Sequence, residues 1–182
     1  MEAISKFDFY VLDFIQKNLR CDFLDVVMVF FTRLGDGGLI WIVLTVAFLI
    51  SNKYRKLGAA MAIALLLSLF IGNGVLKEFF ARQRPFHVND TALLIEPPSG
   101  HSFPSAHTMS SFAAATPIFF FKKKWGAFAY SLASLIAFSR MYLYVHFFTD
   151  VFFGAIFGIL FGWAGFAAIF RRLKPKRGRR YE

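Results

Sequence analysis

The chain has 182 residues, of which 57% are hydrophobic and only 18% are charged, and its formal net charge is +10. This apolar fraction exceeds what the core of a soluble domain requires, so the composition argues against a soluble protein and indicates an integral membrane protein. The length predicts a single domain over residues 1–182, and the lone Cys21 excludes an internal disulfide.

We expect an all-α bundle, because irregular backbone cannot face lipid and a helical span needs about 20 apolar residues. The first segment, residues 1–20, places Phe7, Tyr10, Val11, Phe14 and Ile15 at helical spacing. This pattern is typical of an amphipathic helix on a membrane surface, with an ordinary packed terminal helix as an equal alternative. The segment also lacks the compact apolar run of a cleaved signal peptide.

Several apolar runs follow. Residues 24–31 and 39–50 are separated by glycines and charges, and we interpret them as two short spans with a turn between them. A single span over 22–50 is the alternative, and it would place the N-terminus outside. Four further spans are predicted from the runs Leu57–Leu76, Met109–Phe121, Trp125–Phe138 with an extension to Val145, and Phe147–Phe170. The expected fold is a polytopic membrane bundle of about six transmembrane helices.

Basic residues at three ends of these apolar runs predict how the chain is oriented in the membrane. They lie at Lys53–Lys56, at Lys122–Lys124 and in the C-terminal tail, residues 171–182. Positive loops stay cytoplasmic, so both termini are predicted to be cytoplasmic. Attraction of the tail to anionic lipid, about 1 kcal/mol per basic residue, explains the net charge. No recognition helix or RNA-binding motif is visible, so we expect the lipid bilayer as a partner and no nucleic acid.

The first of three chemically distinctive clusters is Lys77-x6-Arg84-Pro85. A separation of seven residues is close to two helical turns, which predicts both cations on one face at the outer end of a span. The planar fork of Arg and the point charge of Lys suit phosphate oxygens. Cations that merely reach for a membrane interface are the alternative, and we assign Arg82 to that group.

The second cluster is Pro104-Ser105-Ala106-His107, directly before an apolar run. Ser105, Ala106 and His107 are therefore predicted to form the first turn of a helix, where free N–H groups attract a phosphate. The similar tetrapeptide at residues 98–101 would lie in a loop with no helix end. We therefore leave His101 of this tetrapeptide out of the site, together with the other loop histidine, His87.

The third cluster combines Arg140 with His146-x3-Asp150. A spacing of four residues lets the carboxylate accept a hydrogen bond from the imidazole. Arg140 would lie on another face of one continuous helix, so a break near Tyr144 is required. A pair of metal ligands is disfavoured, because the neighbouring clusters supply cations instead of further carboxylates. We expect neither a metal nor another cofactor.

The order and internal spacing of the three clusters, from Lys77 to Asp150, resemble the type 2 phosphatidic acid phosphatase superfamily. The resemblance implies a metal-independent phosphatase in the cell membrane with its active site on the extracytoplasmic face. It also implies the roles of three residues: His146 attacks phosphorus and forms a phosphohistidine, Asp150 orients it, and His107 acts as general acid and base. The phosphate-binding residues implied are Lys77, Arg84, Ser105, Ala106 and Arg140.

The substrate implied is a membrane lipid phosphate. The short chain and its Arg-Pro-Phe and Ser-Phe-Pro-Ser-x-His-Thr patterns resemble small bacterial undecaprenyl diphosphate phosphatases. Undecaprenyl diphosphate is therefore our first expectation, with phosphatidylglycerophosphate and phosphatidic acid as alternatives. A lipid transporter, a non-catalytic membrane protein and a vanadate-dependent peroxidase are alternatives from other classes. The absence of a duplicated motif argues against the transporter. The sequence does not indicate the oligomeric state.

Overall fold

The structure is a computed structural model that describes residues 2–89 and 91–171, and every regular element within these ranges is helical. The prediction of an all-α fold is confirmed. The predicted basic tail lies outside the described residues beyond Arg171. The helices are α1 (Glu2–Asn18), α2 (Asp22–Leu34), α3 (Leu39–Ile50), α4 (Arg55–Leu67), α5 (Lys77–Phe80), α6 (Pro85–Val88), α7 (Ala106–Phe121), α8 (Lys123–Tyr142) and α9 (Phe148–Phe170).

Two helical stretches among the described residues, Arg55–Val88 and Phe148–Phe170, are long and apolar enough to cross a membrane. The first joins α4 to α5 through a π-helical segment, Ser68–Leu76. The pair α2 and α3 would be a third crossing if its two helices count as one span.

A short turn, Asp36–Gly38, joins α2 to α3. Gly37 and Gly38 have φ values of 59° and 71°, which favour glycine. The two helices are bent by only 44° relative to each other, so the chain does not reverse its direction here. The sequence therefore predicted the break correctly, but its geometry differs from the turn between two separate spans that we expected.

The core is built around α7, which packs against α8 and α9. Close contact with α9 depends on glycines at every fourth position: a Cβ atom at Gly158 would lie 2.5 Å from the Met109 carbonyl oxygen, and one at Gly162 would lie 2.4 Å from Thr116 Cβ. Small residues of this kind let two helices approach closely where lipid supplies no hydrophobic driving force. The contact fixes the start of α9 beside the start of α7.

The chain segments next to the three basic positions share one end of the bundle, which we call the basic end. The Tyr54 ring contacts the rings of Phe121 and Trp125, with centroids 5.9 and 5.6 Å apart. Phe121 also contacts the ring of Phe170 at the end of α9. The turn before α4, the turn between α7 and α8, and the end of α9 therefore lie together, as the charge pattern predicts.

Helix α1 packs at the opposite end, on the turn between α8 and α9. Its Leu12 and Ile15 side chains are buried against that turn, whereas Phe7, Tyr10 and Phe14 are at least half exposed. Ile15 of the predicted stripe therefore faces the bundle together with Leu12, whereas the three aromatic side chains face outward.

Candidate active site

The three predicted clusters meet at the end of the bundle opposite the basic end. Arg84 Nη1 lies 3.2 Å from His146 Nε2, and the Ser105 backbone N–H donates to the Asp150 carbonyl at 3.1 Å. His107 and Arg140 line one cavity of about 500 Å³ beside them. Residues that are far apart in the sequence therefore form one site.

Arg84 reaches this site from extended backbone. Helix α5 ends at Phe80, because Ala81 adopts a left-handed φ of 42°, and Arg84 has φ −82° and ψ 156°. The prediction that Lys77 and Arg84 share one helical face is therefore wrong, since a proline at position 85 disfavours helical geometry for Arg84.

The Arg84 guanidinium is held by backbone carbonyls. Its Nε donates to Gly100 O at 2.9 Å, its Nη2 to Ser99 O at 3.0 Å and its Nη1 to Val145 O at 3.0 Å. The side chain is only 2% exposed. Residues 98–101, which imitate the second cluster in sequence, thus form a loop that supports the cation instead of binding phosphate with a helix terminus.

The second cluster has the predicted place at the start of α7. Ser105 is the N-cap residue in extended geometry, and Ala106 begins the helix. The residues other than glycine with positive φ among those described are Ala81 and Tyr144, so Ala106 is not strained. The first-turn N–H groups have no partner within their own helix, as at any helix start. In contrast, His101 Nε2 lies 3.8 Å from Glu78, outside this cluster.

The third cluster contains the predicted break. Helix α8 ends at Tyr142, and Tyr144 has a φ of 60°. The N–H groups of Val145 and His146 both donate to Arg140 O, at 3.1 and 3.2 Å. The turn thereby folds His146 back over Arg140, which no continuous helix would allow.

The contacts of His146 define its tautomer. A guanidinium only donates hydrogen bonds, so Nε2 accepts from Arg84 and the proton of the neutral ring lies on Nδ1. Nδ1 faces Asp150 Oδ2 at 3.6 Å, longer than a hydrogen bond. Ser102 Oγ lies 3.5 Å from Nδ1 and donates to the same carboxylate oxygen at 2.5 Å. Ser102 therefore belongs to the histidine–carboxylate pair, although the sequence did not reveal it.

The surroundings of His146 keep its ring neutral. The residue is 1% exposed, and burial lowers the pKa of its imidazole well below the usual range. Neighbouring positive charges, first those of Arg84 and Arg140, lower the pKa further. A neutral imidazole with no proton on Nε2 is the form that a nucleophile requires.

A carboxylate that the sequence did not predict contacts the second histidine. Asp36 Oδ1, from the turn between α2 and α3, lies 2.9 Å from His107 Nε2. Gly35 makes this approach possible, because a Cβ atom there would lie 2.7 Å from His107 Cδ2. Asp36 stands in a glycine-rich turn with no motif of its own, so only the fold brings it to the site.

Arg82, which we had assigned to the membrane interface, also belongs here. Its Nη1 donates to Asp150 Oδ1 at 2.6 Å, and its side chain is largely buried. The sequence held no signal for this contact, because the helix expected over Lys77–Arg84 would direct Arg82 and Arg84 to different faces.

Some polar groups of the site have no hydrogen-bond partner. Within the described ranges, the Lys77 ammonium group donates no hydrogen bond, and Arg140 Nε is buried without a partner. Arg140 Nη1 donates to Thr32 Oγ1. Buried polar groups are normally paired, so unpaired donors around a histidine indicate a site that accepts an anion. The described residues contain no group of three or more side chains placed to hold a metal ion.

A buried neutral histidine, a carboxylate and a set of cations lie together at one end of a helical bundle, an arrangement that suits an anion such as phosphate. A sequence model of the PAP2 superfamily matches residues 53–174, and the chain belongs to this superfamily. The resemblance of the three clusters is thereby confirmed.

Known relatives include lipid phosphatases. The chain is 32% identical to an undecaprenyl-diphosphatase of Sulfolobus acidocaldarius over 80% of this chain and 69% of the relative. It is 31% identical to phosphatidylglycerophosphatase B of Bacillus subtilis over 87% of this chain and 82% of the relative. The crystal structure of Aquifex aeolicus LpxE has a TM-score of 0.77 and 32% identity, covering 87% of this chain and 94% of that one.

Proposed function

We propose that this protein is an integral membrane lipid phosphatase that works without a metal, through a phosphohistidine on His146. The observation that carries the proposal is the state of His146. It is buried and neutral, and its Nε2 electron pair points at Arg84 within a cluster of cations. Such an arrangement favours attack on an electron-poor phosphorus whose charge the cations neutralise.

In the first step, Nε2 forms a bond to phosphorus while the bond to the leaving oxygen breaks. Arg84 must then turn its Nη1 from Nε2 to a phosphate oxygen. His107 protonates the leaving oxygen, and Asp150 stabilises the positive ring of the phosphohistidine. In the second step, His107 removes a proton from water, whose oxygen forms a bond to phosphorus while the bond from Nε2 to phosphorus breaks and inorganic phosphate leaves. Lys77, Arg140, Ser105 and the N–H groups of Ala106 and His107 are the proposed binding groups for the phosphate oxygens.

A lipid is the proposed substrate because an apolar groove ends at His107. The groove lies between α3 and α4 and has a volume of about 480 Å³. Its lining side chains Ile42, Val46, Leu66 and Leu69 are each about half exposed at the surface of the bundle. A hydrocarbon chain could therefore remain in contact with the bilayer while its phosphate reaches the site.

Undecaprenyl diphosphate is the first proposed substrate, supported by the pattern of residues 84–108 and by the Sulfolobus relative. Phosphatidylglycerophosphate is the alternative supported by the Bacillus relative, and phosphatidic acid is a third. The same cations would bind the phosphate of all three lipids, so the groove must distinguish their tails.

We propose that the active site faces the extracytoplasmic side, because basic loops are retained in the cytoplasm. The position of α1 changes the number of crossings that we expect. Since α1 and the start of α2 lie at the active-site end, α2 and α3 together would form one bent crossing. With α4–α5, α7, α8 and α9 this gives five crossings, an outer N-terminus and a cytoplasmic C-terminus, instead of six crossings with both termini inside.

The decisive experiment is phosphate release by the purified protein in detergent with EDTA. Undecaprenyl diphosphate, phosphatidylglycerophosphate and phosphatidic acid are tested in parallel, with His146→Ala as the control. We expect metal-independent release that the substitution abolishes, and kcat/KM will rank the lipids. Folded protein that releases phosphate from none of them, or activity that persists in the variant, would contradict the proposal.

A further inference from the structure

Helix α1 carries a buried carboxylate that the proposed chemistry does not use. Asp8 is completely buried, although it lies on a helix whose neighbouring side chains Phe7 and Tyr10 are at least half exposed. An ionised carboxylate is costly to bury unless it is paired and hydrogen-bonded. The hydrogen-bond partners of Asp8 therefore indicate why α1 buries this side chain.

The partners of Asp8 lie next to the active site. Oδ2 accepts hydrogen bonds from Arg82 Nη2 and Thr149 Oγ1, both at 2.6 Å, and Oδ1 accepts one from the Thr149 N–H at 2.9 Å. Thr149 belongs to the first turn of α9, one residue before Asp150. Asp8 thus ties α1 to the helix start that carries the proposed catalytic carboxylate.

Arg82 links the two carboxylates. Its Nη2 binds Asp8, and its Nη1 binds Asp150 Oδ1 at 2.6 Å and Thr149 Oγ1 at 2.7 Å. The guanidinium carbon lies 4.1 Å from the centroid of the Phe147 ring. Because both ends of the planar fork are used, Arg82 has one orientation that satisfies all partners.

This orientation determines which oxygen of Asp150 faces His146. With Oδ1 bound by Arg82, Oδ2 accepts from Ser102 and from the Phe147 N–H and lies towards His146 Nδ1.

The charges of Asp8, Arg82 and Asp150 also affect His146. Two carboxylates share one guanidinium, so Asp8, Arg82 and Asp150 together keep a charge of −1 beside the ring that becomes positive on phosphorylation. Without Asp8, Arg82 would neutralise Asp150 completely.

We propose that Asp8 is a positioning residue for the catalytic carboxylate and acts through Arg82, so that α1 is a functional part of the active site. The inference rests on the proposed phosphatase function and adds a role for the N-terminal helix. It requires α1 to lie on the same side of the membrane as His146.

The test compares Asp8→Asn, Arg82→Gln and the double variant with the wild type, using the lipid among the three above that the wild type hydrolyses fastest. We expect Asp8→Asn to lower kcat by about 10- to 100-fold, as for other residues that orient a catalytic group, and to change KM by less than about 3-fold. Arg82→Gln should lose at least as much. Since Asp8 acts through Arg82, the double variant should be no slower than Arg82→Gln alone.

Asp13→Asn is the matched control, because Asp13 is exposed on the same helix, and its kcat should stay within about 2-fold of the wild type. An unchanged kcat in Asp8→Asn, or losses that multiply in the double variant, would overturn the inference. If Asp8→Asn does not fold, Asp8→Glu decides, since it keeps the charge but displaces the carboxylate from Arg82 and Thr149. A lower kcat supports the inference, and an unchanged kcat overturns it.

The wild type and His146→Ala are measured in the same assay. A wild type that hydrolyses none of the lipids would overturn the proposed function, and the role of Asp8 with it. An active wild type together with an equally active Asp8→Asn variant would overturn the role of Asp8 alone.

Discussion

The choice between two similar tetrapeptides is the first question at the scale of single residues. His107 stands in the first turn of α7 beside the proposed phosphate site, whereas His101 lies in the loop that supports Arg84. We expect His107→Ala to lower kcat/KM by about 10²- to 10⁴-fold, the usual contribution of a general acid or base. His101→Ala should stay within about 3-fold of the wild type. Phosphate release measures both variants. A larger loss of kcat/KM in His101→Ala than in His107→Ala would exclude our assignment of His107.

The buried neutral state of His146 predicts how stability depends on pH. Its pKa in the folded protein is lowered, so below an unfolded-state pKa of about 6.5 the unfolded chain binds a proton that the folded protein does not. This stabilisation is complete above pH 6.5 and is lost as the pH falls towards the folded-state pKa. The loss is about 1.4 kcal/mol per pH unit.

The measurement for His146 is the midpoint of thermal unfolding in detergent between pH 7.5 and 5.0. The wild type should lose stability more steeply with acid than His146→Gln, which has no titrating side chain at this position. His101→Gln is the control, because the His101 side chain is 36% exposed, and its curve should follow the wild type. Equal slopes for wild type and His146→Gln would contradict a buried neutral ring.

Local spacing decided which residues the sequence could predict. His146 and Asp150 are four apart, and the requirement to bring Arg140 to the same site predicted the break near Tyr144. Asp8 and Thr149 are 141 residues apart, and no pattern within either segment points to the other. Ser102 and Asp36 were missed for the same reason, because their partners are defined only by tertiary packing.

At the scale of helices, the close contact of α7 and α9 holds Ser105 next to Asp150. Gly158→Ala would place its Cβ 2.5 Å from the Met109 carbonyl oxygen and 2.8 Å from Phe112 Cβ. We expect a loss of about 1–3 kcal/mol in stability, as for other overpacked sites, together with reduced phosphatase activity.

Gly74→Ala is the matched control for Gly158→Ala, because the nearest atom to its added Cβ is 3.9 Å away. Alanine is favoured over glycine in helices by up to about 1 kcal/mol, so this variant should be as stable as the wild type or slightly more stable. Loss of helical circular dichroism during titration with SDS measures both variants. Equal stability of the two variants would show that the contact tolerates a methyl group.

The helices themselves were largely predictable, but the end of α5 was not. Apolar runs located α4, α7, α8 and α9 because lipid and core contacts both demand continuous apolar sequence. Helix α5 ends at Ala81 in left-handed geometry, although alanine is a strong helix former. Contacts of Arg82 and Arg84 with other segments outweigh this local preference, so the sequence alone predicted a helix that is too long.

At the scale of the whole molecule, charge predicted that the three basic positions share one end, but it did not locate α1. The buried face of α1 is specified by its fit to the turn between α8 and α9, which cannot be derived from amphipathic spacing. That fit places Cys21, just after α1, at the active-site end, where its N–H contacts the Tyr142 hydroxyl at 3.2 Å.

The lone cysteine makes this arrangement testable in right-side-out vesicles. Cys21 is exposed, so we expect a membrane-impermeant maleimide to label it without permeabilisation. The control is a Cys21→Ser/Asn52→Cys variant, whose thiol lies in the turn at the basic end and should react only after permeabilisation. Protection of both thiols would place α1 on the cytoplasmic side. Because Asp8 could then not reach Asp150, that result would also remove the structural basis for its role.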